Sequence, residues 1–190
     1  MKKRLSVVFL VLGFLASVAT PAQEEPKPII RWTAWALNML GGGGGTNVTI
    51  GLYRWSSDAE RIALTDVLKG QGNAELVAQL SYLPQVGYIY TQGTLAYALY
   101  YAYRTDLPDG GHRVVLATNR PITFGGAVSP GTQQKYDLGV IEMHFDKNGN
   151  GEGKVIGQGM ASIDKKTGKI EVNNYMGQPS RLLQIKEIKP

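Results

Sequence analysis

The sequence predicts a mainly β protein on the border of α+β. It is expected to be an antiparallel sandwich or barrel of about eight strands, with a two-helix insertion near residues 57–83. Three observations carry this. From Val86 onward apolar and polar residues alternate with a period of two. The alternating runs are short and are joined by turns rich in Gly, Asn, Asp and Pro. One helix-start signal, Ser57-Asp58-Ala59-Glu60, interrupts them early in the chain.

Lys2, Lys3 and Arg4 open the chain, and an uncharged apolar run follows from Leu5 to about Ala19. Small residues then stand at Ser17, Ala19 and Ala22. This is the order of a secretory signal over residues 1–22, with cleavage expected after Ala19 or Ala22. The apolar run of 15 residues is shorter than the roughly 20 that cross a bilayer. No stable membrane span is therefore expected after cleavage, and the chain is expected in the periplasm or outside the cell. Residues 23–28 read as a solvated leader, and Ile29–Leu40, with Trp32 and Trp35, as a first strand. Gly41–Gly45 reads as a flexible linker, since five successive glycines hold no backbone conformation cheaply. No Gly-Lys-Ser/Thr follows it, which argues against a phosphate loop.

Residues 46–190 are expected to form a single β-rich domain. Thr46–Trp55 alternates cleanly, with Val48, Ile50 and Leu52 on one face and Asn47, Thr49, Gly51 and Tyr53 on the other. Ser57 and Glu60 then form a capping box, and Asp58 and Glu60 suit the positive end of a helix dipole. Ile62, Ala63 and Val67 continue at helical spacing, and Gly70 is the expected stop. A second helix is expected from Asn73 to about Leu83, with Leu76, Val77 and Leu80 on one side and Pro84 ending it. Strands follow at about 86–91, 95–104, 112–119, 137–145, 152–163, 168–175 and 181–188. Leu107–Gly111, Asp146–Gly151 and Asp164–Gly168 supply turns, and Arg120–Lys135 reads as a loop.

Composition removes several chemistries. The chain has no Cys, which excludes disulfide scaffolds, thiol nucleophiles and thiolate zinc sites. Its two His exclude a three-His metal centre, and no metal or other cofactor is expected. The formal charge of +5 owes three basic residues to the signal, so the mature chain carries 17 basic against 15 acidic side chains, or +2. No remaining Lys/Arg cluster neutralises several phosphates together, so nucleic acid is not an expected partner. A Cys-free exported chain must be held by core packing, and about 170 residues bury enough surface for that.

Seven of the ten tyrosines lie between Tyr82 and Tyr103. A regular strand there places Leu95, Tyr97, Leu99, Tyr101 and Tyr103 on one face, opposite the smaller Ala96, Ala98, Tyr100 and Ala102. Tyr97, Tyr101 and Tyr103 are the first candidate ligand contacts, since such a face stacks flat molecules while its hydroxyls make polar contacts. Arg54 and Trp55, at a strand end just before a capped helix, are the second: Arg holds an anion and Trp packs beside it. Against this, Tyr and Trp also serve as ordinary strand and core residues. Asp146, Asn148 and Asn150 resemble the start of a calcium loop, but Gly157 stands where a bidentate Glu is needed. Glu142 and His144 share a strand face as an acid/base pair would, but no Gly-x-Ser-x-Gly nucleophile accompanies them. No catalytic residue is assigned.

The runs Tyr53–Arg61, Leu83–Ile89, Leu107–Gly111, Ala117–Ile122 and Asn174–Leu182 resemble a family of exported bacterial proteins found among soil acidobacteria. The resemblance spans about residues 46–188 and implies export and a single domain. It implies no activity, substrate or catalytic residue. The expected function is thus an exported, non-catalytic binding or structural domain whose partner is a glycan, a small molecule or a protein. The alternatives are a secreted hydrolase of a cell-wall or extracellular polymer, and a protein-partner or inhibitor module.

Overall fold

The computed structural model describes residues 26–37, 44–123, 137–164, 170–174 and 178–188. The signal segment, the first three residues of the glycine run, most of the Arg120–Lys135 loop, and most of the Asp164–Gly168 turn lie outside the described residues. Ten strands and two helices follow in the order β1 (Ile30–Leu37), β2 (Gly45–Leu52), α1 (Asp58–Gln71), α2 (Asn73–Leu80), β3 (Gly87–Thr91), β4 (Tyr97–Leu99), β5 (Tyr101–Asp106), β6 (His112–Thr118), β7 (Leu138–Phe145), β8 (Gly151–Ile163), β9 (Ile170–Asn174) and β10 (Ser180–Ile188). The mainly β reading with a two-helix insertion stands. The strand number is ten among the described residues rather than about eight, partly because the expected 95–104 strand is split at Tyr100.

All pairings are antiparallel, in the order β4-β3-β2-β1-β10-β8-β7-β6-β5, with β9 added to β8. The two ends of this path, β4 and β5, are separated in sequence by Tyr100 alone. The Tyr100 N–H donates to the Ala117 carbonyl at 2.9 Å, which bends the sheet back on itself into a nearly closed barrel. Closure satisfies edge groups that an open sheet leaves bare. β1 is paired on both edges, to β2 and to β10, so the sheet begins at Ile30, upstream of residue 46.

The barrel interior is filled rather than hollow. Val48, Ile50 and Leu52 of β2 point inward as their alternation predicts, and meet Leu116, Ile141, Met143, Leu182 and Ile185 in one fully buried cluster. Trp32 closes one part of it, 1% exposed, edge-on to Trp55 with ring centroids 6.4 Å apart. On the outer face of β2, Gly51 lets the Tyr88 ring lie against the strand, where any Cβ would collide with it. Tyr88 in turn contacts Tyr53 and Tyr90 at 5.6 and 5.9 Å.

The helices lie outside the barrel. Ser57 caps α1 with the reciprocal Glu60 bond that the sequence predicts. The helix stops at Gly72, two residues beyond the expected Gly70, because Gly72 takes the positive φ of 86° that the turn into α2 requires. α2 ends at Leu80 rather than Leu83. Leu64 and Leu68 of α1, and Leu76 and Leu80 of α2, each four apart, form the stripe that faces the sheet. They pack against Ala117, Leu138, Val140, Ile156 and Ala161 on β6, β7 and β8. The Ala161 N–H donates to Asn73 Oδ1 at 2.7 Å and pins the start of α2 to β8.

Candidate functional site

The contact between helices and sheet is incomplete. A cleft of about 720 Å³ opens between α1, α2 and the outward side of β5–β9. That is within the volume range of small-molecule sites. Cross-strand register arranges its floor in rows. Tyr101, Ala117, Val140 and Ile156 lie opposite one another on β5, β6, β7 and β8, and their row is largely apolar. The next row is Tyr103, Val115, Glu142 and Lys154, and the one beyond it Thr105, Arg113, His144 and Glu152. Same-face rows are about 7 Å apart, so polarity rises from apolar to charged over roughly two such steps.

The wall above is α1. Arg61 projects from its second turn with its guanidinium 5.1 Å from the centre of the Tyr103 ring, a cation–π contact. Its Nε lies 3.5 Å from Asp58 Oδ1, and the Tyr103 hydroxyl donates to the same oxygen at 3.4 Å. Tyr101 and Tyr103 run side by side with ring centroids 6.4 Å apart and planes 17° apart. Burial pushes the Tyr101 phenol up to about 12, against the pull of Arg61 and Arg113. It therefore stays a hydrogen-bond donor throughout the physiological range.

Glu142 is the hub of the charged end. It receives Arg113 Nε at 2.8 Å and Lys154 Nζ at 3.0 Å, and lies 3.1 Å from His144 Nε2. Burial raises its carboxyl, but Lys154, Arg113 and His144 together outweigh this and hold it below the usual range. An ionised carboxylate with three partners is an acceptor hub, poorly suited to proton donation near neutrality. A smaller recess of about 370 Å³ adjoins the cluster, between Glu142, His144 and Lys154 on one side and Pro179 and Arg181 on the other. None of the described residues lining that recess carries a hydroxyl.

The candidate contacts separate. Tyr101 and Tyr103 line the cleft together. Tyr97 does not join them. Leu99 and Ala102, three apart, both face the interior, so the alternation slips by one at Tyr100 and the single face expected for 97, 101 and 103 is broken. Tyr97 instead packs on the interior cluster, with its hydroxyl 3.3 Å from Thr123 Oγ1 and Arg120 4.8 Å above its ring. Arg54 is committed to Glu60 through two hydrogen bonds of 2.8 and 3.0 Å and also donates to the Trp55 carbonyl. Trp55 packs against the interior. Asp146 accepts from the N–H groups of Asn148 and Asn150 and from the Asn150 side chain, which closes a plain hairpin.

Sequence reasoning missed Arg61, Arg113, Lys154 and the helix leucines as cleft residues. The capping box fixed where α1 starts, but the side of the sheet it covers depends on a strand order that no local pattern encodes. Among the described residues no group of three or more His, Asp or Glu is placed to hold a metal ion, and no helix is long and apolar enough to cross a membrane. No family model, curated protein or solved structure significantly matches this chain.

Proposed function

We propose that this chain is an exported, non-catalytic ligand-binding domain, and that its site is the cleft between the α1–α2 pair and the outer sheet, with Tyr101 and Tyr103 on its floor. The observation that supports this most is the cleft itself. One end of its floor and the leucines of its roof are apolar, its volume suits a small molecule, and Arg61, Arg113, Glu142 and Lys154 gather toward the other end. The barrel interior, by contrast, is filled at its centre by buried side chains.

The purified protein is expected to bind the neutral apolar dye N-phenyl-1-naphthylamine saturably, at one molecule per chain. Thr65→Trp, which places an indole from α1 into the cleft, is expected to abolish that binding while leaving the far-ultraviolet circular dichroism intact. Undiminished dye binding in the folded variant would put the site elsewhere.

Export rests on the Lys2–Ala22 segment. Expressed in a bacterium with its full sequence, the protein is expected outside the cytoplasm with a mature N-terminus at Thr20 or Gln23. Terminal sequencing of the fractionated protein checks this, and an intact Met1 in the cytosol contradicts it.

A further inference from the structure

We infer that the ligand of this cleft is an amphiphile with a single anionic head group, an inference that rests on the binding-domain reading above. A molecule lying along the strands meets Ala117, Val140 and Ile156 beneath Leu64 and Leu68 at one end, and Arg113 and Lys154 at the other. Apolar surface at one end and charge at the other is the pattern of a ligand with a tail and a head.

The hydrogen-bonding groups at the head end give its sign. Arg61, Arg113, Lys154 and the Tyr101 phenol are donors that reach the cleft. Arg61 is balanced by Asp58, but Glu142 is shared by both Arg113 and Lys154, which leaves one positive charge in excess in that trio. His144 adds a third neighbour to Glu142; Glu152, next to them in the last row, lines the smaller recess and not the cleft, while Glu171 borders the cleft from β9 beyond the apolar row, away from these donors. Arg113 uses its Nε on Glu142, which leaves the two terminal nitrogens of its fork for an acceptor group such as a carboxylate. Such a head replaces water on donors that already point into the cleft. A cationic head would instead stand beside Arg61, Arg113 and Lys154, a repulsive arrangement.

The test uses four probes that separate tail from charge: dodecanoate, 1-dodecanol, dodecyltrimethylammonium and acetate, each below its micelle concentration, titrated calorimetrically into the purified protein. Dodecanoate is expected to bind at least about tenfold more tightly than dodecanol, as a charge-assisted hydrogen bond allows. Dodecyltrimethylammonium and acetate are expected to show no heat of binding. Arg113→Gln, an exposed substitution, is expected to erase the preference for dodecanoate over dodecanol, and Arg61→Met serves as the second variant if the first loses its fold. Equal affinity for the acid and the alcohol, or tighter binding of the cation, overturns the anionic assignment while leaving the cleft a binding site. If no long-chain probe binds to the folded protein, the inference falls together with the reading beneath it.

Discussion

Glu60 joins two structures through one carboxylate. It completes the α1 cap by accepting from the Ser57 N–H at 2.7 Å, and it receives Arg54 from the end of the preceding strand. The Arg54 hydrogen bonds, helped by Ser57 and opposed by burial, hold its carboxyl down at about 2. The folded pKa therefore lies below the unfolded value of about 4.3, so its contribution is complete above about pH 5 and fades as pH falls toward 2. Glu60→Gln keeps an oxygen for the cap but loses the ion pair. It is expected to lower stability by about 0.5–1 kcal/mol at pH 7, in keeping with a partly exposed pair. The gap from wild type should close as the pH of urea denaturation is lowered from 5 to 2; a gap independent of pH would show that the charge contributes nothing.

At the scale of elements, the barrel and the helix pair differ in how tightly they are held. Leu116 of β6 is wholly enclosed, whereas Leu68 of α1 meets the sheet beside an open cleft. Leu116→Ala is expected to cost about 3–5 kcal/mol and Leu68→Ala about 2 kcal/mol, because truncation at the cleft enlarges existing space instead of opening a sealed cavity. Native-state hydrogen exchange should show α1 and α2 amides opening well before those of β6 and β7, and Leu68→Ala should widen the difference. Uniform protection across helices and strands would contradict it. The same contrast bears on what the sequence revealed. The α1 cap, the facing of β2 and most strand positions were legible because each rests on residues close together in the chain. The tyrosine face was not, because one extra outward residue at Tyr100 shifts Tyr101 and Tyr103 away from Tyr97, and the alternation carries no mark of that slip. The cleft was not legible either, since Arg61 and Lys154 meet only through the placement of a helix on distant strands.

For the molecule as a whole, the ladder of β1 with β10 is the decisive contact. Trp35 pairs with Leu183 and Arg31 with Ile188, so the first and last strands hold each other in register. Leu182 and Ile185 of β10 are fully buried in the interior cluster. Removing Ser180–Ile188 bares one edge of β1 and one of β8 and takes two core side chains with them. The shortened chain is expected to lose its cooperative thermal transition and to aggregate through the exposed edges. Scanning calorimetry and size-exclusion chromatography check this, and a monomer that melts cooperatively would contradict it.

That seam also fixes an order of events. While the polypeptide is being made, β1 emerges before the other described strands and its second neighbour, β10, after them, so the ring has no means of shutting until Ser180–Ile188 has been added. Until then the growing chain stays open along the facing edges of β1 and β8. The fold closes once Ser180–Ile188 arrives to complete the circle.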